Sequence, residues 1–269
     1  MPLIGRRGAS LVEVLIALVL LGMLGGVLVR ASLQAERQTR ATLDASQLHA
    51  SFDATLDFLD QDLADVAADD STGRDLAQIA SDSVTWRATR GAGLACRLGL
   101  TGVWLLQPRW VAARLPQPGR DSLLLYIDSD STPARQARWV AAPVLGTTAG
   151  SCGGQPALRV TTALDSTLAS RTDLPLLLPA RSFEVMQARF YQSQGRWWFG
   201  VRSVSAGEVI QPLAGPFAPG GFRLTYTDSL ALAATNPAAV RAIRVLLAGG
   251  TGAGRDSAAL TLHPWNLVP

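Results

Sequence analysis

The sequence contains no lysine, so all 24 of its basic residues are arginine, and it has two histidines and two cysteines. The side chains that most often act as metal ligands, general bases or nucleophiles are therefore scarce. The His-Glu-x-x-His and Gly-x-Ser-x-Gly patterns, the phosphate-cradling glycine loop and the paired-cysteine spacing of zinc sites are all absent from the sequence. These absences argue against metalloprotease, serine-hydrolase and nucleotide-binding chemistry, and no enzymatic activity is predicted.

The remaining candidates for metal or acid-base chemistry are few. His49 and His263 stand apart from other candidate ligands, and a structural role is expected for both. The run Asp128-Ser-Asp-Ser131 could offer oxygen ligands to calcium. It lacks the later glycine and glutamate of an EF-hand loop, so a turn is the favoured interpretation. No metal and no cofactor is expected.

Arginine alternates with aromatic residues at several places. Such residues could stack on bases and neutralise the phosphates of single-stranded nucleic acid. The same alternation arises in a half-buried sheet, with apolar side chains inward and arginine outward, and we favour this interpretation. Nucleic acid is therefore not expected as a partner. The runs are Arg109-Trp110, Arg138-Trp139, Arg189-Phe190-Tyr191 and Arg196-Trp197-Trp198.

The most informative segment is an apolar run of 21 residues, Ala9 to Val29, which contains a single charged residue, Glu13. As a helix it would be roughly 31 Å long, enough to cross a hydrocarbon core of about 30 Å. A secretory signal would have a shorter apolar core, followed by a small-x-small cleavage site. A twin-arginine signal would continue from Arg6 and Arg7 with bulky apolar residues. The run therefore predicts one transmembrane helix.

These residues resemble the class III signal of type IV pilins and type II secretion pseudopilins, in which a short basic leader ends in glycine and glutamate follows at the fifth mature position. The resemblance implies cleavage by prepilin peptidase between Gly8 and Ala9, N-methylation at Ala9 and an assembly role for Glu13. Gly22 matches a glycine common in pilin helices. Ala9 replaces the usual phenylalanine or methionine and Arg30 replaces a common proline, so the chain departs from a standard major pilin.

The physics of an acid in a membrane agrees with an assembly role for Glu13. A carboxylate at a helix centre costs about 3 kcal/mol in the membrane and is usually paired. Cleavage would leave an amine at Ala9, one helical turn away. Opposite charges about 4 Å apart attract by roughly 4 kcal/mol at an effective dielectric constant of 20. The pair could form within one chain or with a neighbouring subunit, and the sequence leaves both open.

Beyond the anchor, the helical pattern continues to about residue 68 and then gives way to short strand-like runs. The predicted class is α+β: a long N-terminal helix, transmembrane and then amphipathic, followed by an antiparallel β-rich pilin-like globular head. The predicted divisions are a leader at 1–8, a membrane or filament-core helix at 9–29, an amphipathic continuation at 30–70 and the head at 71–269.

The amphipathic part of the helix has one apolar stripe and one acidic face. Gly73 is a plausible stop. The acidic face is interpreted as solvated, with a surface for a basic neighbour as the alternative. The apolar stripe comprises Leu48, Phe52, Leu56, Leu59, Leu63 and Val66, and the polar face Asp44, Gln47, Asp53, Asp57, Asp60, Asp62 and Asp65.

Strands are predicted where apolar residues alternate between glycines and prolines. The clearest hairpin joins Phe183–Tyr191 to Arg196–Arg202. The segments from Pro212 to Leu247 look like the closing part of larger minor pseudopilins of the GspJ or PilW type. Further strands are predicted at Val84–Thr89, Gly102–Leu106, Ser122–Ile127, Ala137–Val140, Leu158–Thr162, Phe222–Tyr226, Ala242–Leu247 and Ala259–Leu262.

The two cysteines, Cys96 and Cys152, would meet an oxidising compartment if the head lies outside the cytoplasm, as the resemblance implies. A disulfide between them would close a loop of roughly 57 residues, worth about 4 kcal/mol in the chain-entropy model. Two separate buried thiols are the alternative, and a metal or catalytic role is a third.

The resemblance implies a function as well as a fold. It implies a minor pilin or pseudopilin, held in the inner membrane by one helix with its head in the periplasm, then built into a pilus or pseudopilus that can reach the cell surface. The implied partners are prepilin peptidase, other minor and major pilins or pseudopilins, the inner-membrane assembly platform and the inner membrane itself. The alternative function is a DNA-uptake minor pilin whose head binds nucleic acid.

Overall fold

The computed structural model describes residues 11–66, 75–127, 138–164, 177–250 and 256–263. They contain a long α-helix followed by antiparallel β-strands. The predicted α+β class is confirmed at this level. The chain divides into two compact units, Met1–His49 and Ala50–Pro269.

The helix α1 runs Leu11–Leu63 and contains no proline, which explains why it can continue for 53 residues. It ends about five residues before the predicted position. The Val66 N–H donates to the Leu63 carbonyl at 3.3 Å, a tighter turn than the α-helix, and the Val66 side chain is buried. The predicted stop at Gly73 lies outside the described residues.

Residues 50–63 of α1 pack within the second unit through the predicted stripe. Phe52, Leu59 and Leu63 are buried, together with the hydroxyl of Thr55. Most acids of the opposite face are exposed, as predicted. Asp62 is the exception, because it lies half-buried and 3.8 Å from the guanidinium of Arg90. The expectation that Asp62 belongs to a fully solvated face is therefore wrong.

Among the residues that the structure describes, fourteen strands form an 11-stranded sheet and a 3-stranded sheet. All strand pairs given for both sheets are antiparallel. The strands are β1 (Leu76–Ala80), β2 (Ser83–Gly99), β3 (Gly102–Leu106), β4 (Val111–Ala112), β5 (Asp121–Ile127), β6 (Arg138–Pro143), β7 (Gly146–Cys152), β8 (Gln155–Thr161), β9 (Leu178–Ser193), β10 (Arg196–Ser203), β11 (Gln211–Phe217), β12 (Phe222–Thr227), β13 (Ala242–Gly249) and β14 (Asp256–Leu262).

The longest strands, β2 and β9, pair with each other at the centre of the larger sheet. The main order is β11-β10-β9-β2-β3-β8-β7, and β5 with its partner β6 joins the first half of β9. The predicted hairpin is confirmed as β9 and β10. Gln194 and Gly195 connect these strands with positive φ angles of 52° and 74°, which suit a tight hairpin turn.

Among the described residues, an aliphatic and an aromatic buried cluster stabilise the second unit. One lies around β3, β5 and β8 and includes Val103, Leu123 and Val160. The other is aromatic: Phe58 of α1 meets the rings of Trp86 and Phe199, each with centroids 6.2 Å away. Phe52 of the apolar stripe stacks on Phe217, with ring centroids 6.0 Å apart. The Tyr226 hydroxyl ties the 3-stranded sheet β12-β13-β14 to the larger one, because it lies 3.2 Å from the carbonyl oxygens of both Ala80 and Ser83 and can donate to either.

Candidate functional site

The predicted processing and assembly residues fall at the start of the chain. Gly8 and Ala9 lie outside the described residues. Glu13 lies in the first turn of α1, with an exposed side chain. The glycines of the helix leave open space, since a Cβ placed at Gly22 would meet no atom within 4 Å.

The apolar side chains around Glu13 are exposed along the whole segment from Leu11, at 79%, to Val29, at 60%. An exposed apolar surface of this extent marks a contact with membrane or protein. In the part of the chain that the structure describes, α1 is the one helix long and apolar enough to cross a membrane. Within α1, after the apolar run, Arg30, Arg37 and Arg40 are exposed, and Arg40 pairs with Glu36.

A disulfide joins Cys96 of β2 to Cys152 at the end of β7, with the two Cα atoms 6.3 Å apart. Both residues are half-buried. The bond connects strands that are separated by β3 and β8 in the sheet order. It therefore ties the edge strand β7 back to the central strand β2.

The second unit also contains a buried charge cluster that the sequence pattern did not indicate. Glu184 of β9 is 1% exposed, and three arginines surround its carboxylate. The Nε of Arg90 and an Nη of Arg114 each lie 3.0 Å from Oε2, and Arg120 pairs with Oε1. The cluster joins β2 and β9 to the segment between β4 and β5.

Two further carboxylates form ion pairs with arginines of this cluster. Arg114 makes two contacts with buried Asp121, one of them at 2.8 Å, and Arg120 lies 2.8 Å from Glu208. Glu208 also accepts a hydrogen bond from the backbone N–H of Ser203 at 3.0 Å. All three arginines of the cluster thus have carboxylate partners, as buried charges require. This arrangement is suited to holding segments together.

The environment shifts two acids of this cluster in opposite directions. Burial alone would raise the pKa of Glu184, but Ser203, Arg90 and Arg120 outweigh it and hold that pKa below its usual value. For Asp62 burial dominates, and its pKa is raised because Arg90 compensates only in part. Glu184 is therefore stabilised as an anion, and protonation is easier at Asp62.

Of the aromatic residues considered for nucleic-acid stacking, Phe190 is buried and the others are half-buried. Phe190 is buried and stacks on Trp197 with centroids 5.0 Å apart, while the neighbouring Arg189 is exposed. Trp139 packs against Tyr126 at 5.2 Å. At Arg189 and Phe190 the alternation follows the two faces of β9, as expected.

Both His49 and His263 are exposed. Among the described residues there is no group of three or more His, Cys, Asp or Glu side chains that could hold a metal ion. The Asp128–Ser131 run lies outside the described residues. Comparisons of the chain with protein-family models, curated proteins and solved structures found no match.

Proposed function

We propose that this chain is a minor pilin or pseudopilin, a non-enzymatic structural subunit of a type IV pilus or a type II secretion pseudopilus. Prepilin peptidase cleaves it between Gly8 and Ala9, and it acts at the initiation of assembly or at the tip. The observation that carries the proposal is Glu13, the single charge in an exposed apolar helical segment that follows a basic leader ending in glycine. The antiparallel β-sheet region after the helix supports it.

Glu13 has a specific electrostatic role in this proposal. Its carboxylate enters the apolar environment only at a cost, and a protonated amine at Ala9 offsets that cost. When the amine belongs to an adjacent subunit, the pair also fixes the axial position of one helix relative to the next. Membrane insertion needs only the apolar run, whereas assembly needs the charge.

The test separates insertion from assembly with Glu13→Ala and Glu13→Gln. Both variants are expected to remain in the membrane after alkaline carbonate extraction. Both should enter filaments at least about tenfold less than wild type, which corresponds to about 1.4 kcal/mol. Immunoblots of sheared filaments and site-specific cross-linking to neighbouring subunits give the readout.

Asp44→Ala is the matched control, because Asp44 is another exposed acid of α1 that lies outside the apolar run. It should enter filaments like wild type. Wild-type incorporation of both Glu13 variants would remove the proposed role of this carboxylate.

A further inference from the structure

The two ends of the main strand order differ in how well they are protected from pairing. The edge strand β11 contains Pro212 and Pro216, and its pairing with β10 is interrupted by register shifts. Prolines and irregular pairing are common ways of blocking a sheet edge. The opposite edge strand, β7, has the sequence Gly-Thr-Thr-Ala-Gly-Ser-Cys, without proline or charge.

β7 is also regular and accessible. It pairs with β8 from Gly146 to Cys152 without a register shift. Thr148, Ala149 and Ser151 are exposed. Within the residues that the structure describes, no strand pairs with the outer side of β7. Its outer backbone groups are therefore paired with no described strand, and the disulfide holds Cys152, at the end of β7, to β2.

A row of three side chains crosses the sheet towards this edge. Arg97 of β2, Trp104 of β3 and Arg159 of β8 are successive cross-strand neighbours, and Thr148 of β7 follows Arg159. The guanidinium carbons of Arg97 and Arg159 lie 4.7 and 5.3 Å from the Trp104 ring centroid. Cation–π contacts hold both guanidinium groups along the row.

This row carries positive charge that the described part of the protein does not neutralise. Neither Arg97 nor Arg159 has an ion-pair partner among the described residues. An Nη of Arg159 donates to the Thr101 hydroxyl at 3.3 Å, and its buried Nε has no acceptor. The arginines around Glu184 differ, since each of them has a carboxylate. The row is thus complementary to an acidic ligand.

We propose that the outer edge of β7 accepts an extended acidic segment of a partner protein as an additional strand, with a carboxylate directed to Arg159, the arginine of the row nearest to that edge. This inference concerns the second unit and does not depend on the function proposed above. A residue added beside Thr148 would lie two strand spacings, about 9.6 Å, from the backbone of Arg159. The side chains of arginine and glutamate together can bridge that distance. Main-chain hydrogen bonds provide affinity in such complexes, and side chains provide specificity.

The same charges disfavour pairing between two copies of β7. Self-pairing would bring two basic rows towards each other, and β7 contains no carboxylate to compensate. The row therefore selects an acidic partner over a second copy of this edge.

The test uses the full-length protein in detergent micelles and a fluorescein-labelled seven-residue peptide that alternates glutamate with valine. Fluorescence anisotropy should show saturable binding, at least about tenfold tighter than for the same peptide with lysine in place of glutamate, equivalent to about 1.4 kcal/mol. Binding should weaken as salt is raised. A glutamate peptide with alternate amides N-methylated should lose binding, because it cannot complete the strand ladder.

Substitutions test the row directly. The double variant Arg97→Gln/Arg159→Gln should bind the glutamate peptide about five- to tenfold more weakly, and Arg159→Lys, which keeps the charge, should retain most of the affinity. Arg244→Gln is the matched control, because Arg244 is an exposed strand arginine of the 3-stranded sheet. It should leave binding unchanged.

The edge itself is tested with Thr148→Pro and Ala149→Pro. Neighbouring strand residues direct their N–H groups to opposite sides, so one proline removes an outward donor and the other an internal hydrogen bond. The variant that lacks only the outward donor should keep the wild-type melting temperature, and it should no longer bind the glutamate peptide. Equal affinity for the lysine peptide, unchanged binding by the double arginine variant, full binding of the N-methylated peptide, or self-association through β7 would each overturn the proposal.

Discussion

At the scale of residues, the buried carboxylate of Glu184 joins parts of the second unit that are far apart in sequence. It accepts hydrogen bonds from Arg90, 94 positions earlier, and from Arg114, 70 positions earlier. Removing one member of a buried ion pair is strongly destabilising, because the remaining charge stays buried without a counter-charge. The cluster is therefore sensitive to the loss of this one charge.

Glu184→Gln should lower the free energy of unfolding by about 3 kcal/mol, the low end of the range for breaking a buried ion pair. Thermal or urea unfolding of the detergent-solubilised chain measures this change. Glu208→Gln is the comparison, because the Glu208 side chain is 38% exposed and its ion pair is worth at most about 1 kcal/mol. If the two variants lost equal free energy of unfolding, the burial of Glu184 would not increase its contribution to stability.

The same residues predict how stability depends on pH. The folded state lowers the pKa of Glu184, so its contribution is complete above the ordinary glutamate pKa and is lost as pH falls through the lowered value. The melting temperature of wild type should therefore fall more steeply than that of Glu184→Gln between about pH 5 and pH 3.

Asp62 supplies the control of opposite sign. Its pKa is raised in the fold, so protonation favours folding. As the pH falls, the melting temperature of the wild type should rise relative to that of Asp62→Asn. Parallel pH profiles for the wild type and both variants would contradict the assigned directions.

The position of Glu184 in a strand could be predicted from sequence, but its partners could not. Alternation placed residues 183–191 in one strand of a hairpin, and the structure agrees. The meeting of Arg90, Arg114 and Arg120 at this carboxylate depends on strand register and loop path across the sheet. Neither is encoded in local periodicity.

At the scale of elements, the segment of α1 from residue 50 to 63 is held by its buried stripe. Leu59 and Leu63 are fully buried, whereas Asp57 and Asp60 on the opposite face are exposed. This separation follows from the spacing of three and four residues and was predictable from sequence. Propensity alone would not hold the segment, since tertiary packing supplies most helix stability.

Leu59→Ala should destabilise the protein by about 3 kcal/mol through lost packing and the cavity that remains. For a domain of this size that corresponds to a fall in melting temperature of about 6–12 °C. Asp57→Ala should change the unfolding free energy by less than about 0.5 kcal/mol. Circular dichroism melts of both variants in detergent provide the measurement, and equal melting temperatures would rule out the assigned packing.

Strands with clear alternation were easier to predict than strands that contain turn-forming residues. The prediction found β3, β5, β12 and β13 close to their observed bounds. It missed the short strands β1 and β4 and two longer ones: β7, which is rich in glycine and threonine, and β11, which contains two prolines. The two longer ones are edge strands of the main order, where such residues are tolerated because only one neighbour needs their hydrogen bonds.

At the scale of the whole molecule, the change of period near Ser83 was enough to predict a helix followed by a β-rich region. The order of the strands could not be predicted, because it depends on pairings between residues far apart in sequence, such as Ser83 with Arg189. The candidate assembly residue Glu13 could be named from sequence, since its meaning depends on local context. The basic row beside β7 could not, because three strands supply it.

The disulfide is the covalent constraint on this architecture. Because it spans 56 positions, reducing it should lower the free energy of unfolding by about 4 kcal/mol in the chain-entropy model. The expected fall in melting temperature is about 8–16 °C. Thermal melts with and without reductant measure this change. The control is the double variant Cys96→Ser/Cys152→Ser, whose melting temperature should be the same with and without reductant. A wild type that also ignores the reductant would contradict the assigned bond.

The same bond sets the mechanical reach of the chain. If tension unfolds the β-strands, the residues between Cys96 and Cys152 cannot lengthen with the rest, because the covalent link bypasses them. At about 3.4 Å per extended residue, these 56 positions withhold about 190 Å of contour length. In a force-extension experiment, the fully unfolded oxidised protein should therefore be shorter than the reduced protein by about that length. In the oxidised protein the covalent bond still joins β7 to β2.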